Sequence, residues 1–299
     1  MTRSVTERRD LGVVVAAFVA TVLWSCGNLL VRSSTVPGPQ LAFFRVCIGC
    51  AAYSLIVTLR GNRPTWRTIR TSALGGIGFG LQASLYFTAL KMTTLASATV
   101  IASLQPVMLL PVSASLYGER IDRRRVTLVL VALAGTVLVV AGSTSSGSWS
   151  LGGDLLALLA TALGCLYFIG TKAAREHLGT FEYQSAALAV AAVCTLPGAL
   201  FLGDGFAWPV GAQWLWPVAM TAVAGSGHLL MSWAQRHLSV SFTSTVSLDV
   251  LPLTVLGGAI FLGQSVSAIQ LVGMAVVLGS LMSFVSTSRA VAEPPEPVS

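Results

Sequence analysis

The stretch LASATVIASLQPVMLLPVSASLY, residues 95–117, runs 23 positions without a charged side chain. A helix of that length, rising about 1.5 Å per residue, exceeds the ~30 Å of hydrocarbon in a bilayer. Lipid offers no partner to backbone N–H and C=O groups, so a spanning segment of this kind must be helical. A second stretch, SFTSTVSLDVLPLTVLGGAIFL at 241–262, has the same character and a single charge, Asp249. Its Pro252 lies 146 positions after Pro106.

Over the chain as a whole, ten apolar runs are expected as spans, near 12–31, 40–59, 71–90, 95–117, 126–141, 151–170, 183–202, 213–233, 241–262 and 266–285. Of the 299 residues 54% are hydrophobic and 10% charged, against about 25% charged in a soluble domain, too few to cover a water-facing surface. This composition excludes a soluble enzyme, a secreted disulfide scaffold, a disordered chain and a nucleic-acid-binding domain. The first run follows Arg8 and Arg9 without an A-x-A site and reads as an uncleaved signal anchor. The cysteines (Cys26, Cys47, Cys50, Cys165, Cys194) all fall inside apolar runs and read as small hydrophobes. The Cys47-x-x-Cys50 pair stands alone within such a run, so neither a metal nor another cofactor is expected.

The net charge of +7 reflects topology. With the N-terminus cytoplasmic, inside segments hold 15 Lys and Arg, the outside loops hold only Arg32 and Lys91, and Arg45 stays within the second run. An even number of spans then puts both termini in the cytoplasm of a multi-pass cell-membrane protein. The tail at 286–299, with its Glu-Pro-Pro-Glu-Pro run, reads as disordered.

Sliding one half of the chain over the other reveals a repeat. At an offset of 146, Gln82 falls on His228, Tyr86 on Ser232, Thr99 on Thr245, Ser103 on Asp249 and Pro106 on Pro252, while Gly118 meets Gly263 at 145. At 140, Thr21, Ser25, Asn28 and Arg32 fall on Thr161, Cys165, Phe168 and Lys172, along one helix face. The expected organisation is an all-α integral membrane protein of ten transmembrane helices in two five-helix repeats, 1–148 and 149–285. Because five is odd, the second copy must be inverted. Inverted repeats underlie many secondary transporters, with the substrate site between the halves.

These features resemble the EamA family of the drug/metabolite transporter superfamily. The resemblance covers residues 11–285 and rests on Trp24, Phe43-Phe44-Arg45, the Gln105-Pro106 run ending at Gly118-Glu119, and its echo from Pro252 to Gly263-Gln264. The second half carries Gly263-Gln264 where the family often has Gly-Glu. The resemblance implies a ten-helix transporter with its second span toward the periphery.

An ionisable group inside a span costs about 2.5–3.5 kcal/mol on insertion scales, which marks Asp249 as a substrate-binding and proton-coupling candidate. It lies on a stripe with Ser241, Thr245 and Pro252. His228 belongs to a second stripe, Thr221, Gly225, His228, Ser232 and Gln235, and is read as a cavity residue or a proton carrier. Gln82 and Tyr86 are the repeat counterparts of His228 and Ser232; Trp24, Asn28, Gln105 and Tyr167 complete the expected substrate-binding set. Arg45 could bind a carboxylate, pair with Asp249 or snorkel outward, and the peripheral position implied for its span favours a structural role. Gly76 and Gly80 form a GxxxG for close helix approach. Arg123 to Arg125 form a topology determinant.

The expected function is a secondary transporter of the exporting kind, moving small amphipathic metabolites such as amino acids or drug-like compounds by alternating access. Its partners are a small-molecule substrate and the lipid bilayer, not nucleic acid; a homodimer is compatible with the sequence. A lipid flippase or a non-transporting membrane scaffold is the alternative. There is no GxxxxGK(S/T) for ATP and no HExxH for a membrane enzyme. The topology has a direct check by single-cysteine labelling in a cysteine-free background. Positions Ser145 and Gly203 are expected to label from outside, and Arg63 and Arg123 from inside; cytoplasmic-only labelling of 145 would overturn both the count and the inversion.

Overall fold

The computed structural model describes residues 2–62, 65–109, 112, 123–143, 147–202, 205–238, 243 and 246–292, with backbone alone at 2–11, 125, 129, 281 and 284–292. Arg63, Gly118, Glu119, Ser145, Gly203, Ser241 and Thr245 lie outside the described residues. The helices are α1 (Thr2–Ser33), α2 (Gly38–Leu59), α3 (Trp66–Met92), α4 (Leu95–Ala102), α5 (Arg123–Ser143), α6 (Leu151–Arg175), α7 (Thr180–Phe201), α8 (Leu215–Gln235), α9 (Val250–Leu262) and α10 (Ala268–Ala292). Short 3₁₀ turns at Gly211–Trp214 and Ser247–Asp249 precede α8 and α9. Among the described residues, six helices are long and apolar enough to cross a membrane, and shorter apolar helices at Leu95–Leu109, Ser247–Leu262 and Ala268–Ser280 join them. The last helix runs to Ala292, so helix covers the first seven residues of the segment expected as a tail.

Side chains close the helix starts. Thr65, Thr94 and Ser150 accept from the backbone N–H of Thr68, Ser97 and Gly153, satisfying donors that a first turn leaves free. Cations close two helix ends in matching positions. Arg32 at the end of α1 donates to the carbonyls of Leu90, Lys91 and Thr93 at the end of α3. Lys172, its repeat counterpart on α6, donates to the Gln235 carbonyl at the end of α8. Positive charge is favourable at a helix C-terminus, where unpaired carbonyls gather. α9 ends at Gly263 with φ +62°, a left-handed conformation that only glycine adopts without strain.

The two long stretches expected as continuous spans are both interrupted ahead of their prolines. α4 stops at Ala102, a turn follows at Ser103 and Leu104, and helix resumes at 105–109 with Pro106 in its first turn. In the second half the 3₁₀ turn at Ser247–Asp249 leads into α9, with Pro252 as its third residue. A proline ring clashes with the carbonyl four residues back and donates nothing, and both restrictions vanish in a first turn. Of the expected Ser241, Thr245, Asp249 and Pro252 stripe, Asp249 lies in the 3₁₀ turn and Pro252 in α9, while Ser241 and Thr245 are outside the described residues.

Packing follows the repeat. α1 packs on α8 and α3 on α6, α2 on α7, α4 on α9, and α5 on α10, and each pair maps onto another or onto itself when the halves are exchanged. Individual crossings agree. A Cβ on Gly27 would stand 2.8 Å from the Ala224 Cβ on α8; at the counterpart positions a Cβ on Gly78 of α3 would stand 2.5 Å from the Tyr167 nitrogen on α6. α3 presents glycines on two faces, Gly75 and Gly78 toward α6, Gly76 and Gly80 toward Ala187 and Ala191 of α7. The expected GxxxG thus serves the α3–α7 contact.

At Gly78 there is no room for a methyl group, whereas a Cβ on Gly279 of α10 would meet nothing within 4 Å. Gly78→Ala is expected to cost about 1–3 kcal/mol by forcing α3 from α6. Gly279→Ala should be neutral or stabilise by up to about 1 kcal/mol through helix propensity. Thermal unfolding in detergent, followed by size-exclusion chromatography, separates the two; equal loss in both variants would contradict the close crossing.

Candidate functional site

A cavity lies between the two halves, walled by α1, α2, α3, α6 and α8 and by the interrupted segments around Ser103 and Leu248. Seven of the nine expected site residues line it: Trp24, Asn28, Gln82, Tyr86, Gln105, Tyr167 and His228. They come from five segments far apart in sequence, and the repeat packing brings them together.

His228 occupies the centre of an aromatic cluster. Its ring lies 4.7 Å from Phe79, 4.9 Å from Trp24 and 5.6 Å from Tyr167 between centroids. The Tyr167 hydroxyl is 3.2 Å from its Nδ1. On the repeat counterpart of this contact, Gln82 of α3 packs against Gly164 of α6, where a Cβ would meet the amide at 3.0 Å. Trp24 and Gly164 are equivalent positions, as are His228 and Gln82. At the first of these equivalent contacts an indole meets an imidazole at a tilt, and at the second an amide lies over glycine.

Several lining groups have no partner among the described residues. Trp24 Nε1, Gln82 Oε1 and Gln105 Nε2 are buried without a hydrogen bond. Leaving such a group unpaired costs roughly 1–3 kcal/mol, so their gathering around one cavity is best explained by a ligand or water that completes them. Asn28 differs, since its Nδ2 donates to Thr254 Oγ1 on α9 at 3.2 Å. The donors and acceptors left over are those of an amide- and hydroxyl-binding site with aromatic walls.

Two expected residues stay outside the cavity. Ser232 is fully buried on α8, its Oγ unpartnered and its carbonyl accepting from Arg175 Nε at 3.1 Å. Tyr86, its repeat counterpart, does face the cavity. Asp249 is the second: Ser247, Leu248, Val250 and Leu251 line the wall, and Asp249 sits between them at the position that turns away. Asp249 belongs to the 3₁₀ turn Ser247–Asp249 and is followed directly by α9. Its counterpart Ser103 remains on the wall.

Arg45, for which the peripheral place of its span favoured a structural role, reaches the cavity from α2. It is only 5% exposed, with its guanidinium carbon 5.1 Å from the Phe79 ring centre and 5.3 Å from Phe87. Thr221 Oγ1 donates to its carbonyl at 3.0 Å, fixing this turn of α2 against α8. Two cation–π contacts contribute about 0.5–2 kcal/mol each, less than the several kcal/mol that burying an ion costs. The intramembrane charge is visible in the sequence; the direction it points is not. Phe79 and Phe87 escape a reading of the sequence altogether, because a phenylalanine in an apolar run carries no distinguishing signal.

A further group that the sequence does not single out stands at the N-terminal end of α6. Asp154, 5% exposed, accepts from Thr93 Oγ1 at 2.8 Å and Ser97 Oγ at 2.6 Å through one oxygen and from Trp149 Nε1 at 2.8 Å through the other. These bonds tie α6 to the start of α4. An acidic residue in a helix's first turn is the available clue. Among the described residues, no three His, Cys, Asp or Glu side chains come together so as to hold a metal ion.

Comparison with known proteins adds the lineage. The chain matches the EamA-like transporter family twice, over residues 10–141 and 151–286, in agreement with the repeat. It is 25% identical over 280 residues to the pseudopaline exporter CntI of Pseudomonas aeruginosa, covering 92% of this chain and 96% of that protein. It is 30% identical over 216 residues to the aromatic amino acid exporter YddG of Ancylobacter novellus, covering 68% and 72% of the two chains. A solved crystal structure shares the fold, with a TM-score of 0.66 at 24% identity over 94% of this chain and 99% of its own. The relatives are transporters, and this multi-pass membrane protein belongs to the EamA-like transporter family.

Proposed function

We propose that the protein is a secondary transporter that exports a small amphipathic metabolite, and that the central cavity is its substrate site. The observation that carries this reading is the cavity itself, where Trp24 Nε1, Gln82 Oε1 and Gln105 Nε2 lie buried and unpaired between aromatic rings. Export of small molecules by the CntI and YddG relatives supports the same direction. In this reading the chain crosses the membrane ten times as two inverted five-helix repeats, with both termini cytoplasmic.

Alternating access follows from that arrangement. Two inverted halves around one site can rock so that the site faces each side in turn. The contacts that hold α1 on α8 are repeated by those that hold α6 on α3, so the same contacts serve both sides. The breaks ahead of Pro106 and Pro252 place non-helical backbone beside the cavity, where it can be solvated.

The test is counterflow in proteoliposomes loaded with a mixed metabolite pool, read by mass spectrometry. Wild type is expected to exchange a small set of compounds with aromatic or aliphatic bodies. Ala83→Phe, which fills the wall beside Gln82, should lower that exchange at least tenfold while the protein elutes as wild type. Exchange by Ala83→Phe at the wild-type rate would remove the cavity from the transport path.

For energy coupling, Asp249 is the proposed proton site, beside the cavity wall in the turn that starts α9. Asp249→Asn keeps shape and hydrogen bonding but cannot titrate. It is expected to abolish concentration of substrate by a pH gradient in inverted vesicles and to leave counterflow within about twofold of wild type. Retained accumulation by the mutant would place coupling elsewhere, and indifference of the wild type to the gradient would make the protein a facilitator.

A further inference from the structure

The cavity has a charge and no countercharge. Of the residues that line it, Arg45 alone carries a formal charge when His228 is neutral, and the lining contains no Asp or Glu. A smaller cavity on the other side of Arg45, bordered by Tyr53, Gln184 and Thr221, also lacks an acid. The guanidinium contacts two rings, Phe79 and Phe87, through its carbon. Neither ring offers an acceptor to its N–H donors, of which a guanidinium has up to five. Among the described residues no side chain or carbonyl accepts from them.

We propose that Arg45 anchors a carboxylate and that the substrate is an amphipathic organic anion. This inference rests on the reading of the cavity as the substrate site and names the class of substrate. A guanidinium beside two rings and the cavity can offer its N–H fork to a planar carboxylate, which receives two parallel hydrogen bonds and supplies the missing negative charge. Trp24, Phe79 and Tyr167 then receive the apolar body, and Gln82 and Gln105 fix its polar substituents. One guanidinium balances one carboxylate; a phosphate dianion would leave charge uncompensated in a site of low dielectric. The ammonium of a cationic or zwitterionic compound would find no carboxylate and would stand in the field of Arg45.

Equilibrium binding to the full chain in lipid nanodiscs tests this with three probes that share one ring and chain: indole-3-propionate, its neutral amide, and tryptamine. Wild type is expected to bind the carboxylate at least tenfold more tightly than the amide, and tryptamine more weakly than either. Arg45→Met should bring the carboxylate-to-amide ratio to about one while the amide still binds, which shows that the cavity has kept its shape. Arg45→Lys, which retains the charge without the fork, should restore part of the ratio. If wild type binds amide or amine as tightly as the carboxylate, and Ala83→Phe abolishes that binding, the charge assignment is overturned while the cavity stands as the site. If Arg45→Met keeps the tenfold ratio, Arg45 is not the anchor. If no probe binds, or binding survives Ala83→Phe, the reading of the cavity is overturned and this inference with it.

Discussion

Hydrocarbon supplies no hydrogen-bond partner, so every polar group that enters the bilayer must find one within the chain or face a watered cavity. The helix ends show the first solution. Arg32 and Lys172 cover the carbonyls at the ends of α3 and α8, and Asp154 collects the hydroxyls of Thr93 and Ser97 together with the indole of Trp149. The centre shows the second. Prolines 106 and 252 sit just inside resumed helices, and the backbone they release borders the cavity in place of lipid.

The repeat makes these solutions recur without making the halves the same. Gly27 against Ala224 and Gly78 against Tyr167 are one crossing used twice, so each half buries backbone against backbone where small residues permit. At the next contact the two copies diverge, Trp24 against His228 on one side and Gly164 against Gln82 on the other. A symmetric cavity would grip a symmetric molecule. Aromatic rings at one contact and an amide at its counterpart suit a substrate with an apolar end and a polar end.

Unpaired groups in a folded protein lower stability; of the nine buried side-chain atoms without a partner among the described residues, three border the cavity and the others lie at Gln40, Ser72, Ser84, Ser232 and Gln235. Trp24 Nε1, Gln82 Oε1, Gln105 Nε2 and the Arg45 guanidinium all border one space, while the outward surfaces of the helices expose leucine, valine and isoleucine, as at Val137, Val193 and Ile260. A binding site needs groups that the protein itself leaves unsatisfied, because a ligand gains only from bonds not already made. The apolar exterior is the complementary requirement of a lipid-facing surface.

The helical membrane class, the two-fold repeat and several of the cavity residues can be read from the chain's order alone, because charge depletion, span length and polar positions inside apolar runs are local properties. Trp24, Asn28, Gln82, Tyr86, Gln105, Tyr167 and His228 were legible in this way. Which face each residue presents depends instead on how the helices pack. Asp249 lies in the 3₁₀ turn that leads into α9, and Ser247, Leu248, Val250 and Leu251 line the cavity around it while it does not. Arg45 turns inward because Phe79 and Phe87 of α3 offer it two rings, a contact between helices that no spacing within α2 can reveal. Periodicity shows that a helix has a polar face, but the neighbours that pack around it decide what that face meets.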